Sequence, residues 1–458
     1  MVAPSKFMVD PDIIAAISTP PGRGGIGIIR ISGKNLTKLA QTILGKIPKP
    51  RHAHLCQFLD HQSQIIDQGI ALYFPAPDSY TGEDVLELQG HGGPAVMNLL
   101  LNECLSAGAR LAQPGEFTLR AYLNNKIDLI QAESVADIIA ANTNEAARCA
   151  IYSLQGHFST KINALIDLLI TLRMLIEATL DFPEEEIDNV QALQIKERLD
   201  HIHTQIERIF ASARQGSLLQ EGIRIVLAGA PNVGKSSLLN QLVEDDAAIV
   251  TEIPGTTRDT IQRTIAIEGI PIHIIDTAGL RQTNDIVEQK GIERTHAAIQ
   301  NANMVIWLID SSQQQSENKD QILTYIPADK PQITVFNKID LLNENPRMED
   351  EKNNIKIHLS AKTGAGIELL RWKILEIAGW QFNQAGEGIF MARQRHLEAL
   401  TKTRKHLENA QKLIANNFQL ELLAEELRLA QSVLSSITGK FTADDLLGEI
   451  FSHFCIGK

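Results

Sequence analysis

The chain has 458 residues and a formal net charge of −12 at pH 7, with 44% hydrophobic but only 5% aromatic residues. This composition is typical of a globular protein of about three domains, and it excludes a disordered or fibrous chain. It also argues against a protein that grips nucleic acid through overall positive charge and base stacking.

The N-terminal segment 1–118 is predicted to form an α+β domain. Its β-type runs alternate with one helical pattern between Gly and Pro residues, the runs being 26–31, 70–74 and 85–88 and the helical pattern 96–105. Residues 22–27 match the G-x-G-x-x-G fingerprint of dinucleotide-binding folds. A β-type run follows this loop where the fingerprint requires a helix, so an oxidoreductase built on it is excluded.

Helical patterns occupy segments 119–220 and 381–458, and between them 221–380 alternates β-type runs with helices. Such alternation predicts a parallel sheet covered by helices. Two separate helical domains are the alternative arrangement, but each would leave an apolar stripe uncovered. We therefore expect one helical domain into which the α/β domain is inserted.

A phosphate-binding loop is predicted at 229–236, where G-x-x-x-x-G-K-S joins a β-type run to a helix. Glycines let backbone N–H groups surround phosphates, and the helix N-terminus adds favourable partial charge. Lys235 can reach the β- and γ-phosphates, and the Ser236 hydroxyl can ligate Mg²⁺.

Three further motifs follow in order, each after a β-type run. The Asp276 motif puts a carboxylate beside the metal. The Asn337 motif puts Asp340 where it can accept two hydrogen bonds from guanine, and the Ser360 motif presents backbone amides to the base oxygen. Adenine cannot offer those two donors to Asp340, so the set predicts a GTP-binding domain. The motifs are Asp276-Thr277-Ala278-Gly279, Asn337-Lys338-Ile339-Asp340 and Ser360-Ala361-Lys362.

Residues 255–259, GTTRD, stand where a switch loop that senses the γ-phosphate is expected. Leu280 stands directly after the first of those motifs, where Ras-like enzymes place a water-orienting glutamine, and it has no hydrogen-bonding group. Hydrolysis must then use another polar residue or an added group. The candidates that follow are Arg281, Gln282, Asp285 and Glu288.

The four cysteines lie far apart and form no C-x-x-C pair, which predicts neither a disulfide framework nor a cysteine zinc site. Cys455, near the end of the chain, has no neighbour that would lower its pKa and is interpreted as structural. No signal peptide is recognisable, and no apolar run approaches the ~20 residues that span a bilayer. We expect a reduced, cytoplasmic protein without a membrane partner.

The chain resembles the MnmE (TrmE) family of tRNA modification GTPases over essentially its whole length. The resemblance is carried by PPGRGGIGIIRISG, SYTGEDVLELQGHGGP, PGEFTLRAYLNNKIDL, LDFPEEEID, GAPNVGKS, GTTRD and the terminal FCIGK, in the family's order. Several of these segments lie outside the nucleotide-binding motifs, so the match is more specific than a phosphate loop. It implies a folate-binding and dimerising N-terminal domain, a helical domain, and an inserted Ras-like P-loop GTPase domain.

The resemblance also implies a reaction and its partners. A homodimer would act with the FAD-dependent flavoprotein MnmG (GidA) to add a carboxymethylaminomethyl or aminomethyl group at C5 of the wobble uridine of certain tRNAs. A 5-formyl- or methylene-tetrahydrofolate would supply the one-carbon unit. The acidic charge suggests that the partner makes most of the tRNA contact. The alternative is a regulatory GTPase switch for assembly, without modification chemistry.

By resemblance, the family's site residues map onto this sequence. Folate would be bound by Arg30, Glu87, Lys126 and Lys458, and Cys455 becomes a candidate catalytic residue. Mg²⁺ would be held by Ser236 and Thr257, and K⁺ by Asn232, Thr251, Ile253 and Thr256, with K⁺ promoting dimerisation of the GTPase domains. Glu288 would orient the attacking water. The remaining expected GTP contacts are Val233, Gly234, Lys235, Ser237, Glu252, Pro254 and Gly255.

Overall fold

The computed structural model describes residues 12–181, 189–244, 262–276, 300, 302–312, 330–351, 354–381, 388–415, 419–439, 450–451, 454 and 457. The chain divides into two compact units. The first comprises Met1–Ala136, Leu154–Lys196 and His406–Lys458, and the second comprises Asp137–Ser153 and Glu197–Lys405.

A six-stranded sheet forms the N-terminal part of the first unit. Its strands, in the order β3-β4-β5-β2-β1-β6, are antiparallel except for the parallel pair β1 and β6. They are β1 Ile13–Ile17, β2 Gly24–Gly33, β3 His54–Leu59, β4 Ile65–Phe74, β5 Asp84–Gly92 and β6 Ala109–Leu111. The three β-type runs predicted from the sequence lie within β2, β4 and β5. No helix follows the glycine-rich loop at 22–27, which leads directly into β2.

One face of this sheet is apolar and is covered by α1 Thr37–Leu44 and α2 Pro94–Ser106, the second of which contains the predicted helical pattern. Side chains alternate between the faces of a strand, so Ile29, Ile31 and Leu86 enter the core. Arg30 and Glu87 occupy the alternate positions and lie on the other face.

Helices make up the rest of the first unit; three of them have residues in both units, and one, Asn144–Leu154, belongs to the second unit except for Leu154. They are α3 Glu116–Leu123, α4 Leu129–Ala140, α5 Asn144–Leu154, α6 His157–Asp181, α7 Asn189–Glu221, α10 Gln394–Ala415 and α11 Leu420–Thr438. The apolar residues of α6 recur at helical spacing and are buried. α6 packs against α11, so helices from both sides of the α/β segment form one structure.

The C-terminal residues pack on the beginning of the N-terminal sheet. Ser18 Oγ donates a 3.0 Å hydrogen bond to the carbonyl oxygen of Gly457, across 439 residues of sequence. Gly457 has φ +96°, and a Cβ there would lie 2.5 Å from the Ile17 carbonyl oxygen, so only glycine fits. Phe451 and Phe454 join a hydrophobic cluster with Leu119 and Leu129.

A seven-stranded sheet forms the centre of the second unit, in the order β12-β13-β11-β10-β7-β9-β8. The five strands from β13 to β9 are parallel, and β12 and β8 are antiparallel edges. The elements are β7 Ile223–Gly229, α8 Lys235–Glu244, β8 Gln262–Ile267, β9 Ile270–Asp276, β10 Met304–Asp310, β11 Gln332–Asn337, β12 Arg347–Glu351, β13 Asn354–His358 and α9 Ile367–Ala378.

Together the two sheets and the helical segments confirm the fold class expected from the sequence: an N-terminal α+β part, then a P-loop α/β segment inserted between helical segments. The central strands of the second sheet are nearly continuous runs of Ile, Val and Leu because both faces of a parallel sheet are buried. Over the part of the chain that the structure describes, no helix has the length and apolar character needed to cross a membrane.

Candidate functional site

The predicted phosphate loop joins the C-terminal end of β7 to α8, at the centre of the parallel sheet. Lys235 Nζ donates to the carbonyl oxygens of Gly229 at 2.8 Å and Ala230 at 3.0 Å, so its ammonium group lies across the loop. Asn232 has φ +61°, and the hydroxyls of Ser236 and Ser237 are on exposed residues in the first turn of α8. A loop with these features provides an ammonium group and a helix N-terminus for an anion.

Gly234 is required by two geometric constraints. Its φ of +100° is unfavourable for residues that have a Cβ, and a Cβ at this position would lie 2.3 Å from Asn337 Nδ2. Any larger residue would therefore push the Asn337 side chain away from the phosphate loop.

Asn337 connects the phosphate loop to the predicted base-binding loops. Its side chain is only 2% exposed, donates from Nδ2 to the Val233 carbonyl oxygen at 2.7 Å, and accepts at Oδ1 from the Ala361 amide at 2.8 Å. One buried amide thus fixes three loops that are far apart in sequence.

Asp340 lies in a short turn, Ile339–Leu341, that directly follows the left-handed residue Lys338. Ser360 Oγ donates to Asp340 Oδ1 at 2.5 Å, which orients the carboxylate and leaves its other oxygen available. Lys362, two residues after Ser360, is exposed. The structure therefore brings 337–340 and 360–362 together with 232–237, as a nucleotide site requires.

Other predicted residues of this site lie outside the described parts of the chain. The backbone of Asp276 ends β9, next to β7, and the structure describes nothing of its side chain. The remaining residues outside the described ranges are Thr251, Glu252, Ile253, Pro254, Gly255, Thr256, Thr257, Thr277, Ala278, Gly279 and Glu288.

Arg30 and Glu87, predicted by resemblance to bind folate, are direct cross-strand partners on β2 and β5. Arg30 Nε donates to Glu87 Oε1 at 3.0 Å. The guanidinium also lies 5.6 Å from the centre of the Tyr80 ring and 5.9 Å from that of Phe117. A charged pair beside aromatic faces suits a ligand that combines a flat ring with hydrogen-bonding edges.

Sequence reasoning missed Tyr80 and Phe117, although both stand in segments that carried the family resemblance. Tyr80 Oη is hydrogen-bonded to Thr118 Oγ1 at 2.8 Å, and burial raises the pKa of the Tyr80 phenol. The ring therefore stays neutral and fixed beside Arg30 at physiological pH.

Lys126 contacts the loop 75–83, which joins β4 to β5 and contains Tyr80. Its Nζ donates to the Pro77 carbonyl oxygen at 3.0 Å. Three of the four residues expected at the folate site are thus connected through Tyr80 and this loop. The fourth, Lys458, lies outside the described residues, as does Cys455.

A buried charge cluster supports the same loop. Arg120 is 1% exposed and donates to Glu83 Oε2 at 2.9 Å, Asp12 Oδ1 at 2.8 Å and Glu116 Oε1 at 3.1 Å. Burial raises the pKa values of Asp12 and Glu116, but hydrogen bonds from Arg110 and Arg120 outweigh it and keep both below their usual values.

A preformed metal cage is absent from the described residues: no group of three or more His, Cys, Asp or Glu side chains there could hold an ion. Mg²⁺ that enters with a nucleotide needs few protein ligands, because phosphate oxygens and water complete its shell. The exposed Ser236 hydroxyl at the helix N-terminus fits that role.

Two protein-family models match the chain: "GTP-binding protein TrmE N-terminus" over residues 13–126 and "MnmE helical domain" over residues 129–455. Three relatives are named tRNA modification GTPase MnmE. Those of Nitrosomonas europaea and Nitrosomonas eutropha are 64% and 62% identical over 451 residues, covering 98% of this chain and 100% of each relative. That of Nitrosospira multiformis is 60% identical over 453 residues, with the same coverage.

Among solved structures, the G domain of the FeoB iron transporter of T. maritima matches with 27% identity and a TM-score of 0.27. The match covers 34% of this chain and 98% of that one. The score is too low to bear on the fold, which rests on the strand order and the loops.

Proposed function

This chain belongs to the MnmE family of tRNA modification GTPases, and from that membership we propose that it binds and hydrolyses GTP in the modification of tRNA. The observation that carries the proposal is the Asn337 side chain, which joins the phosphate loop to both base loops. A site organised in this way can hold a guanine nucleotide by its phosphates and by its base.

Each part of the site has a chemical role in this proposal. Lys235 and the amides of the phosphate loop neutralise the phosphates, while Asp340 accepts hydrogen bonds from the guanine edge. Mg²⁺, held by Ser236 and Thr257, supplies further charge neutralisation. Asp276 would supply a carboxylate near the metal, and Glu288 would orient the water that Leu280 cannot.

K⁺ is the second cation in the proposal, and Asn232, Thr251, Ile253 and Thr256 are its ligands. The exposed, left-handed Asn232 supports this assignment, because it belongs to the phosphate loop and its side chain is accessible to a cation. A monovalent cation there neutralises charge where other GTPases insert an arginine. The same loops would join two GTPase domains of the homodimer.

We expect GTP turnover to be much faster in K⁺ than in Na⁺ at equal ionic strength. Glu288→Ala should lower turnover by about 100-fold or more in K⁺ while GTP still binds, as for loss of a residue that handles the proton of the attacking water. Phosphate release and nucleotide affinity are the two measurements, and Gln282→Ala, at a competing candidate position, should leave turnover nearly unchanged. Equal rates in both salts would count against the K⁺ site.

The finer reaction is also a proposal. The chain, organised as domains 1–118, 119–220, 221–380 and 381–458, would act in the cytoplasm as a homodimer with the FAD-dependent flavoprotein MnmG. The pair would install the carboxymethylaminomethyl or aminomethyl group at C5 of the wobble uridine, using a tetrahydrofolate one-carbon unit. Cys455 is a candidate catalytic residue, and the partner makes most of the tRNA contact.

The folate part of this proposal is supported by the Arg30–Glu87 pair. Glu87 can accept hydrogen bonds from the amino-pyrimidine edge of the pterin, and Arg30 and Lys126 can bind the carboxylates of the glutamate tail of folate. The positive charge of Arg30 and the negative charge of Glu87 are therefore adjacent, joined by one hydrogen bond. Lys458 would complete the site.

Glu87→Gln keeps the shape of the side chain and removes its charge, so we expect the affinity for 5-formyl-tetrahydrofolate to fall by about 10-fold or more. Calorimetric titration measures this change. Asp67→Asn is the control, since Asp67 pairs with the exposed His91 in the same sheet. An unchanged affinity would remove Glu87 from the site.

Nucleoside analysis of tRNA separates this proposal from the regulatory switch. Cells that carry only the Lys126→Ala chain should lose much of the wobble-uridine modification. Normal modification in those cells, together with no folate binding by the wild-type chain, would favour a switch that acts in assembly.

A further inference from the structure

Asp310 lies in the second unit, at the C-terminal end of β10, directly opposite Asn337 of β11 in the strand register. Its side chain is only 5% exposed. Oδ2 accepts a hydrogen bond from Lys338 Nζ at 2.6 Å, and Oδ1 accepts from the Ser312 amide at 2.9 Å and from Ser312 Oγ at 2.6 Å. Both oxygens are therefore used, and the carboxylate is fixed in one orientation.

A carboxylate this buried is costly unless a cation and hydrogen bonds compensate it. Lys338 is the compensating cation. It adopts a left-handed conformation with φ +71°, which residues with a Cβ rarely hold unless their surroundings enforce it. The ion pair and the Ser311 amide, which donates to the Asn337 carbonyl oxygen at 2.9 Å, tie the end of β10 to the start of this loop.

The position of Lys338 determines where the turn that contains Asp340 begins. The Leu341 amide donates to the Lys338 carbonyl oxygen at 3.0 Å, closing the short turn that contains Asp340.

We propose that Asp310 is a positioning residue for guanine recognition: it fixes Lys338 and, through the following turn, the Asp340 carboxylate in the orientation that meets the base. This inference rests on the proposed GTP binding and deepens it. Asp310 belongs to none of the nucleotide-binding motifs of the sequence, and it reaches the site only through the pairing of β10 with β11.

The test compares the affinities for GDP and for inosine diphosphate, which lacks the 2-amino group that donates to Asp340. Asp310→Asn should weaken GDP binding by about 10-fold and inosine diphosphate binding by less, so the ratio of the two affinities falls several-fold. The control is Asp350→Asn, which breaks an ion pair whose carboxylate is more exposed, 2.5 Å from Lys373 Nζ, in the same unit. An unchanged ratio, or equal weakening of both nucleotides, would overturn the positioning role.

Two further measurements test whether Asp310 acts through Lys338 and provide an alternative if the first variant does not fold. In a Lys338→Met background, Asp310→Asn should cause no additional loss of GDP affinity, whereas additive losses would show that Asp310 does not act through Lys338. If Asp310→Asn does not fold, Ser312→Ala removes only the 2.6 Å hydrogen bond to Asp310. It should lower the same ratio by a smaller factor, and an unchanged ratio would refute the role.

The wild-type measurement separates the two proposals. Failure of the wild-type chain to bind GDP would refute the proposed function and, with it, the role of Asp310. Normal GDP binding by the wild-type chain with an unchanged ratio in the variants would refute the positioning role alone.

Discussion

Asn337→Ala should weaken the binding of both GTP and GDP by about 100-fold. The substitution removes two buried hydrogen bonds and leaves the Val233 carbonyl group and the Ala361 amide without this partner. Losing buried hydrogen bonds of this kind costs about 3 kcal/mol in total. Because these bonds hold the loops in the binding arrangement, the nucleotide must then order the loops itself, and the same cost corresponds to about two orders of magnitude in affinity.

Equilibrium titration with a fluorescent GDP analogue measures this loss. Asn240→Ala, in the exposed part of α8, is the matched control and should bind normally. A change below about threefold in Asn337→Ala would mean that the phosphate and base loops are held together by other contacts.

Arg120→Met should destabilise the first unit by about 3–5 kcal/mol. Methionine fills much of the same volume, but it removes the Arg120 cation from Glu83 and leaves Asp12 and Glu116 with Arg110 alone. Uncompensated buried charge is among the most costly defects in a protein interior. Urea unfolding measures the loss, and Arg428→Met, which breaks an exposed ion pair with Glu425, should change little.

The cost of Arg120→Met should also depend on pH. The pKa values of Asp12 and Glu116 are lowered in the folded chain, so their contribution to stability is present above their unfolded values and is lost as the pH falls. The difference between wild type and variant should therefore narrow from pH 7 towards pH 3. A constant difference across that range would mean that packing, and not charge, explains the destabilisation.

The nucleotide site could be predicted from sequence because its motifs are local. The phosphate loop needs a strand, a glycine-rich turn and a helix in immediate succession, and the Asn337 and Ser360 segments each follow a strand directly. Parallel strands then bring their carboxyl ends to one edge without further information.

Residues that act across strands or between distant segments form no local motif in the sequence. From the sequence alone, Asp310 is an ordinary polar residue at the end of a strand, and Arg120 is one charged residue on a short helix. Tyr80 and Phe117 flank Arg30 only after the sheet has formed, since they are far from it in sequence. Family resemblance alone indicated Arg30 and Glu87 as separate residues, and their pairing was not predicted, because neither strand's sequence determines the cross-strand register.

The contact between Ser18 and Gly457 has a consequence for how this protein is made. At about 5–20 residues per second, synthesis from Ser18 to Gly457, 439 positions later, takes on the order of 20 to 90 s. During that interval the N-terminal sheet emerges without Phe451 and Phe454, which later cover Leu119 and Leu129. Until residues 451–454 have been made, Leu119 and Leu129 therefore lack part of the apolar cover that they have in the folded chain.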